Sequence, residues 1–82
     1  MKPRKVYEKI LSGSRNIRFE DLCRLAVAFG FQHDRTSGIH RIFRHPAGLM
    51  VNFQPDRNGQ AKSYQVRQLL ELVEENGLTM GD

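Results

Sequence analysis

Three short β-type segments follow one another in the middle of the chain, and the turns between them exclude most sheet topologies. Residues 39–45 and 49–54 contain β-forming or alternating apolar residues, and residues 31–36 are a more polar candidate strand. Ser37-Gly38 and Pro46-Ala47-Gly48 separate these segments and are typical of turns. Parallel pairing needs a crossover of about a dozen residues or more. The sequence therefore predicts an antiparallel meander of three strands.

Amphipathic helices flank these strands on both sides. Residues 4–11, 20–29 and 64–76 are predicted to be helical, with Ser63 as the candidate N-cap of the last helix. The second and third helices carry apolar residues at i, i+3, i+4 and i+7, namely Leu22, Leu25, Ala26 and Phe29, and Val66, Leu69, Leu70 and Val73. We therefore expect an α+β fold in the order α-α-β-β-β-α, with helices on one face of the sheet and an open second face.

The length of 82 residues predicts one small domain over residues 1–82, ending in a loose tail over residues 79–82. No apolar run approaches the roughly 18–20 residues that span a bilayer. Cys23 is the only cysteine and has no partner for an internal disulfide, so a reduced cytoplasmic setting is the simplest interpretation. We expect Cys23 to pack in the core.

Basic residues are concentrated at the start of the chain, and the formal net charge is +4. Residues 1–18 hold six basic residues and one acidic residue, whereas residues 47–82 hold three basic and five acidic residues. This asymmetry suggests an anionic partner such as nucleic acid. Ordinary solvation of the surface by Lys and Arg is an equally open interpretation of the charge alone.

His40 is the histidine whose surroundings could support chemistry. Alternation places it on one face of its strand with Ile42 and Arg44, opposite Arg41 and Phe43, and neither face is purely apolar. Its direction therefore stays open, as does the choice between a surface histidine and a general acid/base. No zinc-like spacing or carboxylate cluster accompanies it, so we expect neither a metal nor another cofactor.

The order of the motifs resembles the HicA, or YcfA-like, family of type II toxin–antitoxin toxins. The resemblance covers about Phe19 to Leu78, taken as the core of the domain, and its three clearest segments are Arg35-Thr36-Ser37-Gly38-Ile39-His40-Arg41-Ile42-Phe43-Arg44-His45-Pro46, Asn52-Phe53-Gln54-Pro55 and Ala61-Lys62-Ser63-Tyr64-Gln65-Val66-Arg67-Gln68-Leu69-Leu70. The helix at residues 4–11 lies outside it. The family commonly has serine just before the histidine, where this chain has Ile39.

The resemblance implies a fold similar to a double-stranded-RNA-binding domain and the activity of an mRNA interferase, a metal-independent endoribonuclease that inhibits translation. It also implies a HicB-like antitoxin that covers the active site. His40 matches the catalytic histidine of the family. The residues that we expect at the RNA are Arg35, Gly38, Arg41, Lys62 and Gln65.

Two other functions remain open from the sequence. A non-catalytic RNA-binding module would need only the basic surface, and Ile39 in place of serine favours it. A docking protein would use a sheet edge or the acidic residues Glu71, Glu74 and Glu75, although these are typical of a solvated helix face. The sequence leaves the oligomeric state open.

Overall fold

The computed structural model describes residues 1–81 and confirms the predicted order of elements. The helices and strands are α1 (Pro3–Leu11), α2 (Phe19–Ala28), β1 (Gln32–Ser37), β2 (His40–His45), β3 (Leu49–Phe53) and α3 (Ser63–Glu75). Each boundary lies within a residue of its predicted position. No helix among these residues has the length and apolar character required to cross a membrane.

The three strands form one antiparallel sheet in the order β1-β2-β3, as the short turns require. Gly38 and Ile39 alone connect β1 to β2, and only Gly38 has a positive φ, at 60°. That combination is the pattern of a type II′ hairpin turn, which places glycine first and accepts other residues second. The pairing of β1 with β2 is shifted between His33 and Arg35, so Asp34 lies in a bulge.

The helices cover one face of the sheet, as predicted. Phe43, Val51 and Phe53 are buried on that face and belong to the same cluster as the α2 stripe. From α3, Leu69 and Val73 complete the cluster, whereas the predicted stripe residues Val66 and Leu70 are half-buried. The opposite, outward face of the sheet is exposed except at Ile42, which is 8% exposed.

Both ends of the described chain pack against α2. In α1, Val6 is buried and the ring of Tyr7 meets Phe29 edge-on at 5.4 Å. At the other end, Met80 packs against the core and the N–H of Gly81 donates to the Ala28 carbonyl at 2.8 Å. Two residues of the segment predicted as a loose tail, Met80 and Gly81, therefore contact the rest of the fold, while its last residue lies outside the described residues.

The predicted N-cap of α3 is wrong. Ser63 is the first residue of the helix, and the N-cap position falls on Lys62, which makes no side-chain capping hydrogen bond. The backbone carbonyl of Lys62 instead accepts from the N–H groups of Gln65 and Val66. The helix is anchored mainly by its packed stripe, because burial of an apolar face usually outweighs a missing cap.

Gly30 is a position where a side chain would be strained by the backbone and crowded by a neighbour. Its φ is 99°, and an added Cβ would lie 2.9 Å from Nε2 of His45. The ring of His45 cannot easily move, because its Nδ1 accepts the Ala47 N–H and its edge meets Phe31. Gly48 also has a positive φ but no atom within 4 Å of an added Cβ.

We expect Gly30→Ala to lower the free energy of unfolding by more than Gly48→Ala does. Both variants place a Cβ at positive φ, which costs about 1–2 kcal/mol, but only the Gly30 variant also meets the His45 ring. Urea denaturation of the two variants measures the difference. Equal losses of stability would show that the His45 ring yields freely.

Candidate active site on the outward face of the sheet

His40 begins β2 directly after the hairpin turn, and its side chain is exposed on the outward face. Arg41 and Phe43, on the opposite face of the strand, point toward the helices: Phe43 is buried in the core, and Arg41 contacts α2. The packing thus decides the direction that alternation left open. It leaves the imidazole accessible to a large polymer such as RNA.

The imidazole of His40 is hydrogen-bonded across the sheet to Asn52. Nδ1 of His40 lies 3.2 Å from Oδ1 of Asn52. Asn52 pairs with Ile42 in the ladder, so it is a diagonal neighbour of His40 on the same face, within reach of a long side chain. Asn52 begins the motif Asn52-Phe53-Gln54-Pro55, but nothing in that motif points to it as the partner of the histidine.

Gln65 is buried at 3% exposure, and it joins the start of α3 to the end of β3. Its Oε1 accepts the Gln54 N–H at 3.1 Å, and its Nε2 donates to the Asn52 carbonyl at 3.4 Å and to the Tyr64 hydroxyl at 3.2 Å. Both polar atoms of this predicted RNA-contact residue are therefore engaged inside the protein. Any direct contact with RNA would have to displace these bonds.

An ionic cluster occupies the same outward face. Asp34, in the bulge, accepts from Arg35 at 2.5 Å and from Nε of Arg44 at 3.3 Å. The Arg44 hydrogen bond is the largest influence that lowers the pKa of Asp34, and Arg35 adds to it. Arg35 pairs with Ile42, which places it about 7 Å along the sheet from the row of His40. The predicted residue Arg35 is thus brought onto the face of the histidine.

Arg41, by contrast, lies on the helix side of the sheet. Its guanidinium donates to Glu20 at 2.8 Å, stands 4.9 Å from the centre of the Phe19 ring and contacts Sγ of Cys23. The hydrogen bond from Arg41 to Glu20 is the main cause that lowers the pKa of the Glu20 carboxyl. Arg41 therefore clamps β2 to α2 and does not share the face of His40.

The two predicted residues that remain are Gly38, in the turn before the histidine, and Lys62, at the start of α3. Gly38 supplies the positive φ of the turn, and open space surrounds its would-be Cβ, so the turn needs glycine for its conformation rather than for room. Lys62 is half-buried at the start of α3. Next to Gln65, the ring of Tyr64 is 55% exposed.

A cleft of about 340 Å³ opens beside the hairpin turn. Arg18 and Glu20 line it together with Thr36, Gly38 and Ile39. Arg18 also forms a single β-bridge with Gln60, so the loop after β3 lies against the segment that precedes α2. In the sequence Arg18 is only one of the six basic residues of the N-terminal segment, because no local pattern links it to residue 38.

Neither of the other two histidines shares the outward site. Nε2 of His33 bonds to Thr36, and its ring meets Phe43 on the helix side. His45 holds the β2–β3 turn through Ala47. Among residues 1–81 no group of three His, Cys, Asp or Glu side chains is placed to hold a metal ion. Cys23 is buried as predicted, and burial raises its pKa to about 11, so the thiol stays protonated.

The geometry defines a small α+β domain with a three-stranded antiparallel sheet, helices on one face and an exposed histidine at the head of the middle strand. The family model described as the HicA toxin of bacterial toxin–antitoxin systems matches residues 19–74. Because this match covers more than half of the chain, the protein belongs to the HicA toxin family, which confirms the resemblance. The matched region excludes α1. Neither a curated protein nor a solved structure matched the chain.

We expect Glu20→Gln to weaken the clamp between α2 and β2. The lowered pKa of Glu20 means that its ion pair stabilises the fold above the ordinary pKa of 4.5 and stops doing so as the pH falls through the lowered value. Because the carboxylate is 56% exposed, the loss at neutral pH should be at most about 1 kcal/mol.

Urea denaturation at neutral pH and in strong acid measures this effect. The stability difference from wild type should vanish in acid, where Glu20 is protonated. Glu75→Gln is the matched control, because Glu75 is an exposed carboxylate of α3 with no ion pair among the described residues. A pH-independent loss in Glu20→Gln would exclude the ion pair as its cause.

Proposed function

We propose that this protein is a metal-independent endoribonuclease that cleaves mRNA and thereby inhibits translation, with His40 as its catalytic residue. The observation that carries the proposal is the exposed imidazole of His40, held by Asn52 on the face that also presents Arg35 and Arg44. Membership of the HicA toxin family supports the toxin role. A neutral imidazole is the usual general base near pH 7, and its protonated form is a good general acid.

The chemistry needs only protons to move at the phosphodiester. Nε2 of His40 takes the proton of the attacking hydroxyl, from either the ribose 2′ position or a water, as the new P–O bond forms. The same nitrogen then returns a proton to the leaving oxygen as its bond to phosphorus breaks. With no net gain or loss of protons, the histidine is restored at the end of the cycle.

Cations on the outward face stabilise the charge that develops on the phosphate. Arg35 and Arg44 both pair with Asp34 in the free protein, and a phosphate would compete with that carboxylate for their N–H groups. Lys62, which lies in a motif of the family, is the third cation that we assign to the RNA. In this proposal Arg41 and Gln65 act from inside the fold, because they position β2 and β3.

Unpaired bases have a platform beside this site. The Tyr64 ring is exposed, while its hydroxyl accepts from Gln65, which itself contacts Asn52. An exposed aromatic ring held in this way can stack against a base of a single-stranded RNA. We therefore assign single-stranded mRNA as the substrate and a HicB-like antitoxin as the protein partner that covers the outward face in the cytoplasm.

The replacement of the family's serine by Ile39 removes no group on which the turn or the orientation of the His40 ring depends. Ile39 occupies the second position of the hairpin turn with a negative φ, and its side chain is 64% exposed. The turn therefore depends on Gly38 and not on a hydroxyl at the next position. The ring of His40 also has its partner in Asn52, so it does not need a hydroxyl from residue 39 to orient it.

We expect His40→Ala to fold like the wild-type protein and to cleave purified mRNA about 10²–10⁴-fold more slowly, the usual contribution of a general acid/base. Its expression should no longer arrest growth. His33→Ala is the matched control, since it removes an exposed histidine whose ring lies toward the helix side. Cleavage of labelled RNA by the purified variants measures the loss. An undiminished rate in His40→Ala would rule out the histidine mechanism.

We expect Arg35→Gln and Arg44→Gln each to weaken RNA binding and to make it less dependent on salt. Each phosphate contact adds about one unit to the slope of the logarithm of affinity against the logarithm of salt concentration. Arg67→Gln is the control, because Arg67 lines a groove between α1 and α3, away from the sheet. Titrations at several salt concentrations measure the slopes. Equal slopes in all three variants would contradict the assignment.

Gel electrophoresis of the same labelled RNA after incubation with the wild-type protein distinguishes a nuclease from an RNA-binding module. A complex of reduced mobility that contains intact RNA would favour the non-catalytic alternative. Cleavage that persists in the presence of a chelator would support the metal-independent mechanism.

A further inference from the structure

We infer that Asn52 is the positioning residue of His40: its side-chain amide holds the imidazole in the tautomer that leaves Nε2 free to exchange protons with RNA. The inference rests on the proposed function. The family motif that contains Asn52 gives this residue no role, yet its Oδ1 lies 3.2 Å from Nδ1 of His40.

The chemistry of the two groups fixes the tautomer. An amide oxygen can only accept a hydrogen bond, so Nδ1 of His40 must carry the hydrogen that it donates to Asn52. A neutral imidazole carries a single ring proton, and its other nitrogen then has a free lone pair. Nε2 is therefore the basic nitrogen, on the side of the ring away from the sheet partner.

Asn52 is itself held from two directions. Its backbone pairs with Ile42 in the central strand, and its carbonyl accepts from the buried amide of Gln65. Gln65 is in turn bound to the Gln54 N–H. The chain of contacts therefore runs from the buried start of α3 through β3 to the exposed imidazole. This support makes Asn52 a firm anchor for a side chain that would otherwise rotate in solvent.

The neutral amide suits a histidine that must both take and return a proton. A carboxylate at this position would favour the charged imidazolium and so oppose the return of the proton. The one carboxylate of the bulge, Asp34, is instead paired with Arg35 and Arg44. Asn52 thus orients the ring without adding charge to it.

Nuclear magnetic resonance of ¹⁵N-labelled protein tests this inference, because long-range ¹H–¹⁵N spectra show which ring nitrogen of His40 is protonated. The signals of His40 are assigned by their absence in His40→Ala. Asn52→Leu removes the acceptor, and Asn52→Asp restores one. Met50→Leu is the matched control, since Met50 lies on the same strand and the same exposed face. Cleavage of labelled mRNA is measured on each variant.

We expect the wild-type protein, Met50→Leu and Asn52→Asp to carry the neutral ring proton on Nδ1. In Asn52→Leu this preference should be lost and cleavage should fall about 10–100-fold. A proton on Nε2 in the wild type, or an unchanged tautomer in Asn52→Leu, would overturn the inference. So would a loss of cleavage no greater than that of Met50→Leu. If the wild-type protein does not cleave RNA, the proposed function fails, while the spectra still decide whether Asn52 holds the ring.

Discussion

The alternation of side chains along the central strand β2 separates a face packed in the core from an exposed face that carries the candidate site. In β2, Phe43 enters the helix-covered side while His40 and Arg44 remain in solvent. Because side chains alternate strictly along a strand, a shift of one residue in register would bury the histidine and expose the phenylalanine. Burial of Phe43 in the cluster with Val51 and Phe53 therefore fixes the register of β2 and, with it, the exposed position of the His40 imidazole.

Polar contacts hold side chains of β2 in place on both faces of the sheet. On the helix side, Arg41 and Glu20 tie β2 to α2 beside Phe19 and Cys23. On the outward side, Nδ1 of His40 lies 3.2 Å from Oδ1 of Asn52, and the Gln65 amide donates to the Asn52 carbonyl from α3. Helix α2 thus acts on β2 from behind the sheet, and α3 supports Asn52 through Gln65. In this member of the HicA toxin family a small core is thus enough to hold an exposed histidine in a defined position.

The resemblance identified the right family, but it does not tell which motif residues share the face of His40 and which are engaged elsewhere in the fold. Arg35, Arg41 and Arg44 belong to one motif, yet Arg41 lies on the opposite face and is paired with Glu20, far away in sequence. Gln65 lies in another motif and is buried. Motif residues can be shared for packing as well as for chemistry, and only burial and partners tell the two apart.

The sequence by itself determined the helices, the strands and the antiparallel order, because apolar periodicity and short turns act locally and leave few alternatives. It also indicated Gly38 as the turn glycine and His40 as the candidate histidine. Only the tertiary structure decided which way His40 points, that Asn52 is its partner and that Arg41 faces α2. Those outcomes depend on contacts between residues distant in the chain, which form when the whole core packs and which no local pattern encodes.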